Sequence, residues 1–73
     1  MKLTPSQTKT IELMTSVHKG GTVELLPSGD AKLIVPTLLP EYYEREALII
    51  SRRGKIIAEY LTTVDGDRRA KYF

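Results

Sequence analysis

The chain has no cysteine and a single histidine, and these absences remove whole classes of chemistry before any pattern is considered. Without cysteine there is no disulfide framework and no thiolate for redox or metal work, which fits a reducing cytoplasm. A cysteine–histidine pair is impossible. A serine–histidine–aspartate arrangement would have to use His18, whose place at a predicted helix end points to a structural duty instead. No apolar run approaches the ~18 residues of a membrane span, and "MKLTPSQTKT" lacks the apolar core of a signal peptide, so a soluble intracellular chain is expected. Asp65 and Asp67 lack the further oxygen ligands of a calcium loop, and Gly20-Gly21 is not followed by a phosphate-binding lysine. The sequence therefore predicts no enzyme, no cofactor and no metal.

What remains is a 73-residue chain of ordinary globular composition, 41% hydrophobic and 27% charged. At this size a domain buries only about 60% of the surface its unfolded chain exposes, so its stability is modest. The formal charge of +2 hides an asymmetry. Residues 1–50 are close to neutral. Residues 51–73 hold Arg52, Arg53, Lys55, Arg68, Arg69 and Lys71 against Glu59, Asp65 and Asp67. The basic excess lies at the C-terminal end, in two clusters of similar make-up, and suits a polyanion or an acidic protein surface.

Local signals set the expected elements. Thr4 reads as an N-cap, Pro5 as the first helical residue and Gln7 as its capping-box partner. Ile11, Met14, Val17 and His18 then share one helical face until Gly20-Gly21 stops the helix. "GTVELLPSGDAKLIVP" reads as a β-hairpin turning at Pro27-Ser28-Gly29-Asp30 and ending at Pro36. Residues 37–46 read as a short helix with Pro40 near its start and a Glu41 to Arg45 pair at i, i+4. Residues 47–64 fit two readings. As a helix capped by Ser51, they place Ile56, Ile57, Tyr60, Leu61 and Val64 in one stripe; as strands, "ALII" and "KIIAEYL" flank a "SRRGK" turn with Gly54 left-handed. The helix is preferred on periodicity, although its first turn would set Arg52, Arg53 and Lys55 against the positive end of the dipole. Val64-Asp65-Gly66-Asp67 is a turn, and "RRAKYF" a short strand or a tail.

"LTPSQTKTIELM" resembles the first helix of small winged-helix regulators, and "ALIISRRGKIIAEYL" the strand and helix opening near the end of some of them. That resemblance implies an α+β, winged-helix-like single domain over residues 1–64, with residues 65–73 a basic tail or edge strand. The middle departs from it, since a winged helix has two successive helices before its hairpin. The short 40–47 segment, with Glu41, Glu44 and Glu46, would be repelled by phosphates. In size and in lack of catalytic residues the chain also resembles small bacteriophage proteins that inhibit host RNA polymerase.

The expected contact residues are Arg52, Arg53, Lys55, Arg68, Arg69, Lys71 and Tyr72, because basic side chains beside aromatics grip protein grooves or stack on bases. Tyr42-Tyr43 beside acidic residues offer a second surface. The preferred function is a small non-enzymatic regulator binding a protein of the transcription machinery. The alternatives are a winged-helix DNA-binding repressor and a structural subunit, for which Leu33 or Ile34 would matter most. Whether the basic residues make one patch or two depends on the form of residues 51–61.

Overall fold

In the computed structural model, which describes residues 2–73, the chain forms one helix followed by a five-stranded antiparallel meander. The helix α1 spans Pro5–His18. The strands are β1 (Thr22–Leu25), β2 (Ala31–Val35), β3 (Tyr43–Ile50), β4 (Ile56–Thr63) and β5 (Arg68–Tyr72), side by side in chain order. No described helix is long and apolar enough to cross a membrane.

The predicted capping box forms. Gln7 N donates to Thr4 Oγ1 at 3.1 Å, and Thr4 N donates to Gln7 Oε1 at 2.9 Å, so two otherwise orphaned amides are satisfied reciprocally. At the other end the left-handed position falls on Lys19, and Gly20 N closes the helix onto Thr15 O at 2.9 Å. Gln7, Ile11 and His18 are buried, on the stripe that Met14 continues.

That stripe meets one face of the sheet. Register and alternation place Ala31, Leu33 and Val35 of β2 and Leu48 and Ile50 of β3 beneath α1, and with Ile11 these make the core. A shift of register between Ile49 and Ile50 sets Ile56 opposite Ile50 and leaves Ile57 without a β3 partner, so Ile56 also packs on the core. Among the described residues, no helix lies over the opposite, outer face. Ile34, Ala47, Tyr60 and Ala70 form one row across it, and Ile49, Ala58 and Tyr72 the next.

Neither of two expected helices forms, their residues going to turns and to the starts of β3 and β4, which overturns the winged-helix-like α+β architecture. At residues 37–46, Tyr42 N and Tyr43 N both reach Leu39 O at 3.0 Å, so a single helical turn begins and goes no further. The Glu41–Arg45 pair that favoured continuing it is worth only about 0.2–0.5 kcal/mol. Pairing β3 on both sides and burying Leu48 and Ile50 outweighs that. At residues 51–61 the strand alternative holds: Ser51 N donates to Lys55 O at 2.8 Å, Gly54 N to Ser51 O at 2.8 Å, and Gly54 takes φ 82°. A turn has no helix dipole to oppose Arg52, Arg53 and Lys55, and glycine is at home in it. Residues 68–72, for which tail and edge strand were both open, pair along β4 as an edge strand.

Candidate binding surface

The strand form of β4 separates the two basic clusters. Arg52, Arg53 and Lys55 sit in the β3–β4 turn, whereas Arg68 and Arg69 begin β5 beside the opposite end of β4. An eight-residue strand is roughly 26 Å long, so these are two patches and not one. Pairing then redistributes the residues. Tyr72 lies opposite Ala58, and Phe73 N donates to Ile57 O at 3.0 Å, which returns the end of β5 to the β3–β4 turn. Lys71 therefore shares an end of the molecule with Arg53 and Lys55.

Not all of these cations are free to meet a partner. Arg52 is a strap: its carbonyl accepts from Thr4 Oγ1 at 2.6 Å, and its Nη2 donates to Ser28 O at 3.2 Å, tying the helix start, the β1–β2 turn and the β3–β4 turn together. Lys55 borders the groove described below. In β5 every residue is exposed, and alternation sends Arg68, Ala70 and Tyr72 to the outer face and Arg69 and Lys71 to the helix side. Lys71 Nζ lies 5.3 Å from the centroid of the Phe73 ring. Arg68, Arg69 and Lys71 form no salt bridge among the described residues.

On the outer face Tyr72 meets Tyr60 edge to face, with ring centroids 6.1 Å apart and planes at 88°. Tyr60 was not among the expected contact residues, because only the β4–β5 register brings it beside Tyr72. The pair Leu33 and Ile34 divides in the same way. Leu33 is fully buried, so a change there reports on folding, while Ile34 is 40% exposed on the outer face and can report on docking. Tyr42, Tyr43 and Arg69 line a more polar hollow with Glu41, Asp65 and Asp67, so the second expected surface adjoins the start of β5.

Because α1 lies over the β2 side, the helix-side face of β4 is left as a groove of about 410 Å³ between Met14, Leu48, Ile56 and Phe73. Its floor is polar. His18 Nδ1 lies 3.0 Å from Pro36 O and, since a carbonyl only accepts, carries the proton there. The same nitrogen is 3.9 Å from Glu46 Oε1, and Glu59 stands beside Glu46. Nothing in the linear sequence joined these three, which come from α1, β3 and β4. No group of three or more potential metal ligands occurs among the described residues.

Burial holds the Glu46 carboxyl above its ordinary value; His18 pulls it down and Glu59 pushes it further up. A carboxyl raised on folding contributes stability that is complete below its unfolded pKa and is lost as pH rises through the folded one. Glu46→Gln should therefore melt at a higher temperature than the parent at pH 7, with the difference closing as pH falls below the ordinary carboxylate range. Thermal melts of both proteins across pH 3.5–7 check this, and a parent equal to the variant at neutral pH would contradict it.

No protein-family model, curated protein or solved structure matches the chain.

Proposed function

We propose that this chain is a small non-catalytic binding module that meets a protein partner through the β4–β5 side of its sheet. The observation that carries it is the imbalance of the fold. One helix covers the β2 side, while β5 is exposed along its whole length and bears Arg68, Arg69 and Lys71 without ion-pair partners among the described residues, next to Tyr72 at 71% exposure. Exposed aromatics beside arginine are the residues that dominate protein interfaces.

A nucleic acid is served less well. Its backbone favours a continuous basic track, but here the cations divide between two faces and two ends, and Glu46 and Glu59 line the groove on the helix side. The repressor alternative required a recognition helix, and the one helix lays its buried stripe on the sheet. The winged-helix resemblance no longer supports a role in transcription, so components of that machinery enter only as the first partners to test.

A photo-reactive residue at Tyr72 should cross-link to a protein partner, with RNA polymerase tried first, whereas one at Leu13, exposed on the helix, should not. Cross-linking from Leu13 alone would place the contact elsewhere. Fluorescence anisotropy with duplex DNA supplies the opposing test. Tight binding that weakens about a thousandfold between roughly 50 and 200 mM salt would make the chain a nucleic-acid binder.

A further inference from the structure

We propose that β5 receives an extended acidic segment of the partner as a sixth, antiparallel strand. The inference rests on the binding surface proposed above and specifies its chemistry. In an antiparallel ladder alternate residues turn both backbone groups toward the neighbouring strand. Thr63 N donates to Asp67 O at 2.8 Å and Phe73 N to Ile57 O at 3.0 Å, so residues 67, 69, 71 and 73 face β4. Arg68, Ala70 and Tyr72 therefore turn their amides and carbonyls outward, where no further strand lies among the described residues. An exposed row of this kind is a template for another strand, and side-chain chemistry decides which strand it accepts.

The chemistry of β5 excludes its own copy and selects an acidic one. Two β5 strands pairing antiparallel about Ala70 would set Arg69 of each opposite Lys71 of the other, and like charges opposed across a ladder repel. The other edge, β1, carries only Glu24 as a charged residue and has no such preference. Position by position, the added strand would place carboxylates beside Arg69 and Lys71 on the helix side and beside Arg68 on the outer face. Ala70 leaves room opposite it for a β-branched side chain, and the exposed Tyr72 ring offers an apolar neighbour to the first residue. Read along the incoming strand, the pattern is apolar, acidic, β-branched, acidic, acidic.

The test uses the full-length protein and an end-blocked, fluorescent peptide with the core Val-Glu-Val-Glu-Glu, followed by anisotropy at low and moderate salt. Binding is expected for this peptide and not for the one with lysine in place of glutamate. Methylating the peptide nitrogen of its central valine removes a donor aimed at Ala70 and should weaken binding about tenfold. Ala70→Pro removes the matching donor from the protein without touching the β4 ladder and should have a similar effect. Reversing Arg68, Arg69 and Lys71 to glutamate should exchange the preference to the lysine peptide. Unchanged affinity after N-methylation would reduce the interaction to charge alone and overturn strand addition, as would equal binding of the two peptides. No binding of the glutamate peptide would overturn it as well. The wider surface is judged separately by the cross-link from the Tyr72 position, which a partner lying on the outer face would also give.

Discussion

Replacing Gln7 with leucine should cost about 3 kcal/mol and lower the melting temperature by roughly 15 °C. Gln7 is fully buried at the point where α1, the β1–β2 turn and the end of β3 meet. Its Oε1 accepts from Thr4 N, and its Nε2 donates to Gly29 O at 2.9 Å and to Ile50 O at 3.3 Å. Leucine has similar bulk and no hydrogen-bonding atoms, so it would leave an amide and two carbonyls without these partners. Each unsatisfied buried group costs about 1–3 kcal/mol. A domain of this length has only about 4–11 kcal/mol in total, so the loss is a large share.

Glutamate at the same position separates the two duties. A capping box accepts glutamate as readily as glutamine, so a residue valued only as a cap would tolerate the change. Here the second carboxylate oxygen would face Gly29 O and Ile50 O in place of a donor. Gln7→Glu should thus destabilise at neutral pH at least as much as leucine does, and its melting temperature should recover as acid protonates the carboxyl. A melt by circular dichroism within about 3 °C of the parent for either variant would show that the contacts to the two carbonyls contribute little.

Gln7 also shows where the sequence was legible. Its capping partner is three residues away, and a signal that local can be read without knowing the fold; its bonds to Gly29 and Ile50 span 22 and 43 residues. The first hairpin was legible for the same reason, since Leu26 N to Asp30 O at 2.9 Å closes a turn built from adjacent residues. Residues 43–63 were not. Strands paired on both sides carry apolar residues on both faces, as in Ala47-Leu48-Ile49-Ile50, and Ile57, which has no β3 partner, breaks the period of two at the place where it was most needed. The resulting spacing of Ile56, Ile57, Tyr60 and Leu61 matched a helix better than a strand. The basic residues were found by composition, but their division between faces and ends follows from register, as does the meeting of His18, Glu46 and Glu59.

Alanine substitutions at Gly54 and Gly66 look equivalent in sequence and should differ severalfold in effect. Both glycines sit in turns between strands with positive φ, 82° and 90°, where a Cβ costs about 1 kcal/mol. At Gly66 that is the whole cost, because nothing lies within 4 Å of the position a Cβ would take. At Gly54 the Cβ would stand 2.6 Å from Ser6 O and 3.0 Å from Thr10 Oγ1. The first of these is helix backbone and cannot rotate away. The turn would have to withdraw from α1, which also strains the 2.6 Å bond from Thr10 Oγ1 to Gly54 O and the one from Thr4 Oγ1 to Arg52 O. About 3 kcal/mol is expected for Gly54→Ala and about 1 for Gly66→Ala, or roughly 15 °C against 5 °C in melting temperature. Equal melting of the two variants would mean that packing on β2 and β3 holds the helix without the turn. A large difference would make the β3–β4 turn the second anchor of α1. Since the same turn carries Lys55 at the rim of the groove, Gly54→Ala should then also alter the groove, whereas Gly66→Ala should leave it intact.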